Sequence, residues 1–198
     1  MPIAVRDQVE PVLANFAHRI QGVLDQAMED WEKMPNKSWL IFRRDQANII
    51  FSYVARHALV EFADDHDVHV MPESQTVKFL FRDAVLIRFK KGNAAGVGSN
   101  IVTQSVLEFI DPQLSFSGLP DVQRVEIVYQ LNVIGTGYKE VAVVARDKRA
   151  RIWAYPLNGK SSAEIIPLPP RPAPVLTPPS VIPKPIKKEQ SQDDDQKE

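Results

Sequence analysis

Apolar residues recur at steps of three and four over the first part of the chain, at Val9, Leu13, Phe16, Ile20, Val23, Leu24, Ala27 and Trp31. That spacing predicts an amphipathic helix of about six or seven turns, with Pro11 near its start, where a missing N–H costs little. Met34-Pro35-Asn36-Lys37 ends the stripe, because proline disfavours helix in the residue before it. A second stripe through Ala47, Ile50, Phe51, Val54, Ala58 and Phe62 predicts a helix from about Asp45 to Phe62. Together they form a helical hairpin over 5–63 whose apolar side needs a further surface to cover it.

The period then changes from helical to alternating. Val68–Met71 reads as a short strand and Pro72-Glu73-Ser74-Gln75 as a turn. In VKFLFRDAVLIRFKK, Val77, Phe79 and Phe81 fall on one face and Lys78, Leu80 and Arg82 on the other, the pattern of a half-buried strand. Arg82-Asp83 suits a tight hairpin turn, although it lacks the glycine such turns favour, and one continuous strand is the rival. A glycine-rich loop from Gly92 to Asn100 leads into a short helix from about Thr103 to Ile110, with Val106, Leu107 and Ile110 inward and Asp111-Pro112 stopping it. Strands at Arg124–Leu131, Glu140–Arg146 and Arg151–Leu157, joined through Gly135-Thr136-Gly137 and Asp147-Lys148-Arg149, form a β-meander.

The predicted class is α+β: an N-terminal helical hairpin on a mainly antiparallel sheet of about five or six strands over 68–157, with one short inserted helix. A single domain covers 1–166. From Pro167 prolines crowd the chain and the end is mixed in charge, so 167–198 reads as a disordered, polyproline-like tail that could dock in a partner's aromatic groove.

At 198 residues the chain can bury a sizeable core, and its lack of cysteine excludes disulfides, thiolate zinc sites and thiol catalysis. The N-terminus lacks an apolar leader and no run approaches the roughly 18 apolar residues of a membrane span, so a cytoplasmic protein without a membrane partner is expected. Net charge is −1. Against that near-neutral background Lys78, Arg82, Arg88, Lys90 and Lys91 face only Asp83, a local balance of plus four. Broad attraction to phosphate needs a wider cationic excess, so any nucleic-acid binding has to be local.

Three groups of residues are candidates for chemistry. Arg88, Lys90 and Lys91 precede the glycine loop, where Asn100, Thr103 and Gln104 at a helix start could add donors to a bound anion; the competing reading makes Thr103 an N-cap and the lysines a solvated face. Glu61, Asp83 and Lys90 stand in the order of a magnesium-dependent nuclease, but Arg88 occupies the place of a further carboxylate, and a hard dication needs several oxygens. Asp64-Asp65-His66-Asp67-Val68-His69 contains metal-ligand types without a familiar spacing and reads as a solvated turn. His18 and His57 stand alone on helices. Tyr129, Tyr138, Trp153 and Tyr155, beside Arg146, Arg149 and Arg151, could stack on bases, although core packing is the favoured role. No metal or cofactor is expected, magnesium entering only with the nuclease alternative.

FLFRDAVLIRFKKGNAAGVGSNIVTQSVLEFIDPQ, followed by LPDVQRVEIVYQLNVIGTGYKEVAVVARD, resembles a bacterial family of unassigned activity that is similar to the toxin-side component of the Rosmer toxin–antitoxin or phage-defence module. The resemblance covers about Arg43 to Pro167. It implies a cognate protein partner, a helix-turn-helix or metallopeptidase antitoxin, with protein binding and nucleic-acid binding as the activities to look for.

Overall fold

Asn15 interrupts the N-terminal stripe. Its side-chain Nδ2 donates to the Pro11 carbonyl (3.1 Å), and the Phe16 N–H turns to the Leu13 carbonyl (3.0 Å), so the expected single helix is two: α1, Arg6–Ala14, and α2, Ala17–Lys33. A side chain competing for a helical carbonyl breaks the ladder without breaking the apolar stripe, and Phe16 at the joint stays buried. A short 3₁₀ turn, Lys37–Trp39, leads to α3, Arg43–Phe62. The computed structural model describes residues 3–73, 76–93, 95–98, 109, 122–148 and 150–158. The expected helix at 103–110, apart from Phe109, and the expected tail at 167–198 lie outside them.

Six strands follow: β1 Val68–Pro72, β2 Val77–Phe81, β3 Val85–Lys91, β4 Gln123–Leu131, β5 Tyr138–Asp147 and β6 Ala150–Pro156. They lie side by side in sequence order in one sheet, antiparallel except for the β3–β4 pair, which is parallel. The α+β class and the mainly antiparallel sheet are as the pattern predicts. The hairpin between β2 and β3 also forms: Ala84 N–H donates to the Phe81 carbonyl (3.0 Å), with Arg82 and Asp83 both left-handed at φ 48° and 52°.

Odd-numbered residues of β2, β3 and β4 point at the helices. Phe16, Phe62, Phe79, Phe81 and Phe89 meet edge to face, with ring centroids 4.7–5.9 Å apart, the geometry aromatic quadrupoles favour. Tyr129, Val143 and Tyr155 extend this layer, and Tyr138 and Trp153 pack against it. The aromatics of the meander are therefore core, as the packing alternative expected; the Tyr138 hydroxyl donates to the Leu24 carbonyl (2.9 Å).

The even-numbered face differs from expectation. Leu80, Leu86, Phe109 and Val122 form a second apolar cluster, and Val128, Ala142 and Val144 a third. Every residue of β2 is buried, so the ribbon is not half-exposed. Lys78 and Arg88, expected on a solvated face, are each 1% exposed. Alternation reports that two faces differ in chemistry, and a cation with a close partner can be buried like an apolar residue.

Candidate functional site

Arg88 and Glu126 are register partners on the parallel pair, side by side on the even face. Arg88 Nε and Nη2 donate to Glu126 Oε1 at 3.1 and 2.6 Å. Arg146 on β5 reaches the same carboxylate from the other side, Nη1 to Oε2 at 3.2 Å, and also donates to the carbonyls of Gly98 (3.2 Å) and Lys148 (3.0 Å). The Phe109 ring lies 4.1 Å from the Arg88 guanidinium and 5.7 Å from the Lys78 ammonium, which is itself paired with Glu73. A guanidinium held over an aromatic face in a dry site is attracted by the ring's quadrupole.

Lys90 follows Arg88 on the same face of β3 and is half-buried, with no ion pair or hydrogen bond among the described residues. Burial lowers its pKa to about 8; the charge of Arg88 adds to the effect, Glu126 opposes it and Arg146 again adds. Arg88 is itself held below its ordinary value, first by burial. Among the described residues Arg88 and Arg146 are thus bonded to one carboxylate, Glu126, with Lys90 beside them. The Nε of Arg146 is buried without a partner among the described residues. Counted over these described residues, Arg88, Lys90 and Arg146 exceed Glu126 by two positive charges in a place where water screens poorly, and an anion would relieve them.

The loop that starts at Gly92 meets this cluster at Gly98. It is held by an antiparallel bridge between its two end glycines and by the Asn93 side chain, which accepts from the Ala95 and Val97 N–H groups at 2.9 and 3.2 Å. At Gly98 a Cβ would come within 2.6 Å of Glu126 Oε2 and 2.9 Å of Lys90 Cβ, so only a residue without a side chain lets the loop approach.

The expected anion site is therefore only partly assembled. Arg88 and Lys90 sit together, but Arg88 is committed to Glu126. Lys91 points to the other face, near Arg43, and burial lowers its pKa. Asn100, Thr103 and Gln104 lie outside the described residues. Arg82 belongs to the opposite end of the sheet, bonded to Asp67 (3.1 Å). Sequence reasoning missed Glu126 and undervalued Arg146. The available signal was an acid in the middle of the apolar run VEIV, which a central strand tolerates only with a cation beside it.

The nuclease set does not converge. Glu61, at the end of α3, accepts from Arg19 Nε (2.6 Å) on the helical side. Asp83 is in the β2–β3 turn, 3.2 Å from His69. Lys90 lies near the far end of β3, about 23 Å from that turn at the rise of an extended strand. Among the described residues no group of three or more His, Asp or Glu could hold a metal ion. Asp65 is bonded to Arg19 and its pKa is lowered, first by that bond and then by the Asp67 N–H. His66 lies near Asp67 (3.7 Å), and His57 is bonded to Asp30 (2.7 Å). His18 lines a cleft of about 600 Å³ between α1, α2 and the end of β6, with Leu13, Ala17 and Tyr155; the nearby Glu10 is paired with Arg6 (2.8 Å).

No protein-family model, curated protein or solved structure matches the chain. No described helix is long and apolar enough to cross a membrane.

Proposed function

We propose that the protein is a non-catalytic binding component of a two-gene toxin–antitoxin or phage-defence module, and that it holds an anionic group of its partner at Lys90 and Arg146. The observation that supports this reading is the cation cluster beside Gly98, in which the described residues supply three cations, one carboxylate and a buried Nε without a partner among them. A carboxylate of an acidic protein segment, or a nucleic-acid phosphate at the loop's edge, supplies the missing charge with charge-assisted bonds. The partner implied by the resemblance is a helix-turn-helix or metallopeptidase antitoxin. The nuclease alternative gains no support, since Glu61, Asp83 and Lys90 are held apart.

The test combines Lys90→Gln and Lys91→Gln with expression toxicity, co-purification of the neighbouring gene's product, and gel-shift on DNA and RNA at low salt. Arg88 is left intact because its removal would strand Glu126. The expected result is toxicity relieved by the neighbouring product and a complex weakened by Lys90→Gln but not by Lys91→Gln. A folded Lys90→Gln protein that binds its partner and nucleic acid as tightly as the wild type would overturn the reading.

A further inference from the structure

Five of the six most exposed large apolar side chains among the described residues belong to two neighbouring segments, the sixth being Val60 near the other end of α3. Trp39, Ile41 and Phe42, between α2 and α3, are 76%, 85% and 62% exposed, and Val133 and Ile134, in the β4–β5 turn, are 101% and 82% exposed. The two segments are fastened together. The Gly135 carbonyl accepts from Trp31 Nε1 at the end of α2 (3.1 Å) and from Gln46 Nε2 at the start of α3 (3.3 Å). Gly135 itself is left-handed, at φ 75°, and a Cβ there would lie 2.5 Å from Gln46 Nε2. The turn is thus built to sit against the helical corner, and both projecting tips face outward from it.

Cations flank these tips along the chain. Lys37, Arg43, Arg44 and Lys139 are exposed, and Lys91 is close enough to Arg43 to feel its charge. Arg43, Arg44 and Lys139 make no ion pair among the described residues. The acids nearby in sequence are Glu32, Asp45 and Glu140, leaving five positive charges against three negative. The far end of α3 carries the reverse, with Glu61, Asp64, Asp65, Asp67 and Asp83 against Arg19 and Arg82. At the rise of an α-helix the length of α3 separates the two ends by about 30 Å.

We infer that this corner docks on an anionic lipid bilayer, with Trp39, Ile41, Phe42, Val133 and Ile134 entering the headgroup boundary. Protein partners are favoured by flat or recessed patches whose rim excludes water. Two convex tips that are almost fully solvated bury little against such a surface but enter a fluid interface easily. A tryptophan beside aliphatic side chains, flanked along the chain by Arg and Lys, matches the chemistry of the bilayer boundary, apolar below and negatively charged above. The acidic far end orients the molecule corner-first. The anion cluster at Lys90 plays no part in this docking, since it lies on the even face of the sheet.

The test is sedimentation of the full chain with phosphatidylcholine vesicles, with and without phosphatidylglycerol, followed by tryptophan fluorescence. Trp31 is 6% exposed and Trp153 donates its Nε1 to the Ala4 carbonyl, so Trp39 is the reporter. Expected are sedimentation with anionic vesicles, a blue shift, and weak binding to neutral ones. Ile41→Ser and Ile134→Ser should each weaken partitioning about tenfold, and Arg43→Gln or Arg44→Gln about fivefold. Lys90→Gln should leave it unchanged, which separates this result from failure of the functional proposal. Absence of sedimentation and of any blue shift would overturn the inference. So would a dimer in light scattering that the same serine substitutions dissociate while vesicles are ignored, because the corner would then join two copies. Every substituted corner position is exposed, and an unaltered thermal transition verifies folding.

Discussion

Lys90 is half-buried beside charge of its own sign, and the burial above all gives it a pH signature. Its pKa of about 8 in the folded protein is below the ordinary 10.5 of the unfolded chain. Below pH 8 both states carry the charge, and the folded state bears the whole cost of holding it. Between about 8 and 10.5 the unfolded chain binds more protons, so stability rises with pH; above that window the cost has gone. Lys90→Met is therefore expected to be more stable than the wild type by about 1–2 kcal/mol near neutral pH, after allowance for partial contact with water. The difference should close as pH approaches 10.5 in thermal unfolding of the two proteins side by side. A constant difference across the window would show that Lys90 is fully solvated. The cation excess from Lys78 to Lys91 was readable in the sequence, but its destination was not. Lys78 and Arg88 look like surface residues until Glu73 and Glu126 are placed beside them, and Glu126 is 38 residues from Arg88 in the chain.

Within the elements, α3 shows how the two apolar periods are matched. Phe62 is fully buried, touches Phe79 and Phe81 edge to face at 5.7 and 5.3 Å, and carries the Arg19 guanidinium 4.8 Å from its ring. It joins a helix to β2, next to the edge of the sheet, and lies beside the ion pairs that Arg19 makes with Glu61 and Asp65. Phe62→Ala should cost about 3–5 kcal/mol in urea unfolding. Val60→Ala, on the exposed side of the same helix, should change stability by less than about 0.5 kcal/mol. Equal effects would mean that α3 is not held by this face. The stripes of α2 and α3, and the strand positions from 68 to 157, were legible because packing against one surface forces a periodic pattern. The break at Asn15 was not, because one hydrogen bond to Pro11 can interrupt a ladder while the apolar spacing continues. The β2–β3 hairpin was legible only as one of two options, since Arg82 and Asp83 adopt left-handed backbone without the glycine that advertises it.

Across the whole molecule, the sheet is a wall between two unlike interiors: an aromatic layer under the helices and a smaller apolar and ionic layer on the other side. The parallel β3–β4 pair makes the second layer necessary. Parallel neighbours need a crossover, and between Lys91 and Gln123, which is level with Val85, the chain must return about 20 Å along the sheet. Local alternation cannot reveal this, because a strand's direction relative to a neighbour beyond a long connection leaves no mark in its own residues. Phe109, the described residue between Gly98 and Val122, is 3% exposed, packs with Leu80, Leu86 and Val122, and covers Arg88 and Lys78. Its removal takes away both apolar burial and the cover that keeps water from the Arg88–Glu126 pair. Phe109→Ala should therefore cost about 3–4 kcal/mol, with Phe109→Leu recovering most of the apolar burial but not the cation–π contact, worth about 1–2 kcal/mol in a dry site. Urea unfolding of the three proteins measures both parts. A loss below about 1 kcal/mol for Phe109→Ala would mean that Phe109 does not seal the even face, and the shielding of the Arg88–Glu126 pair beneath its ring would lose its structural cause.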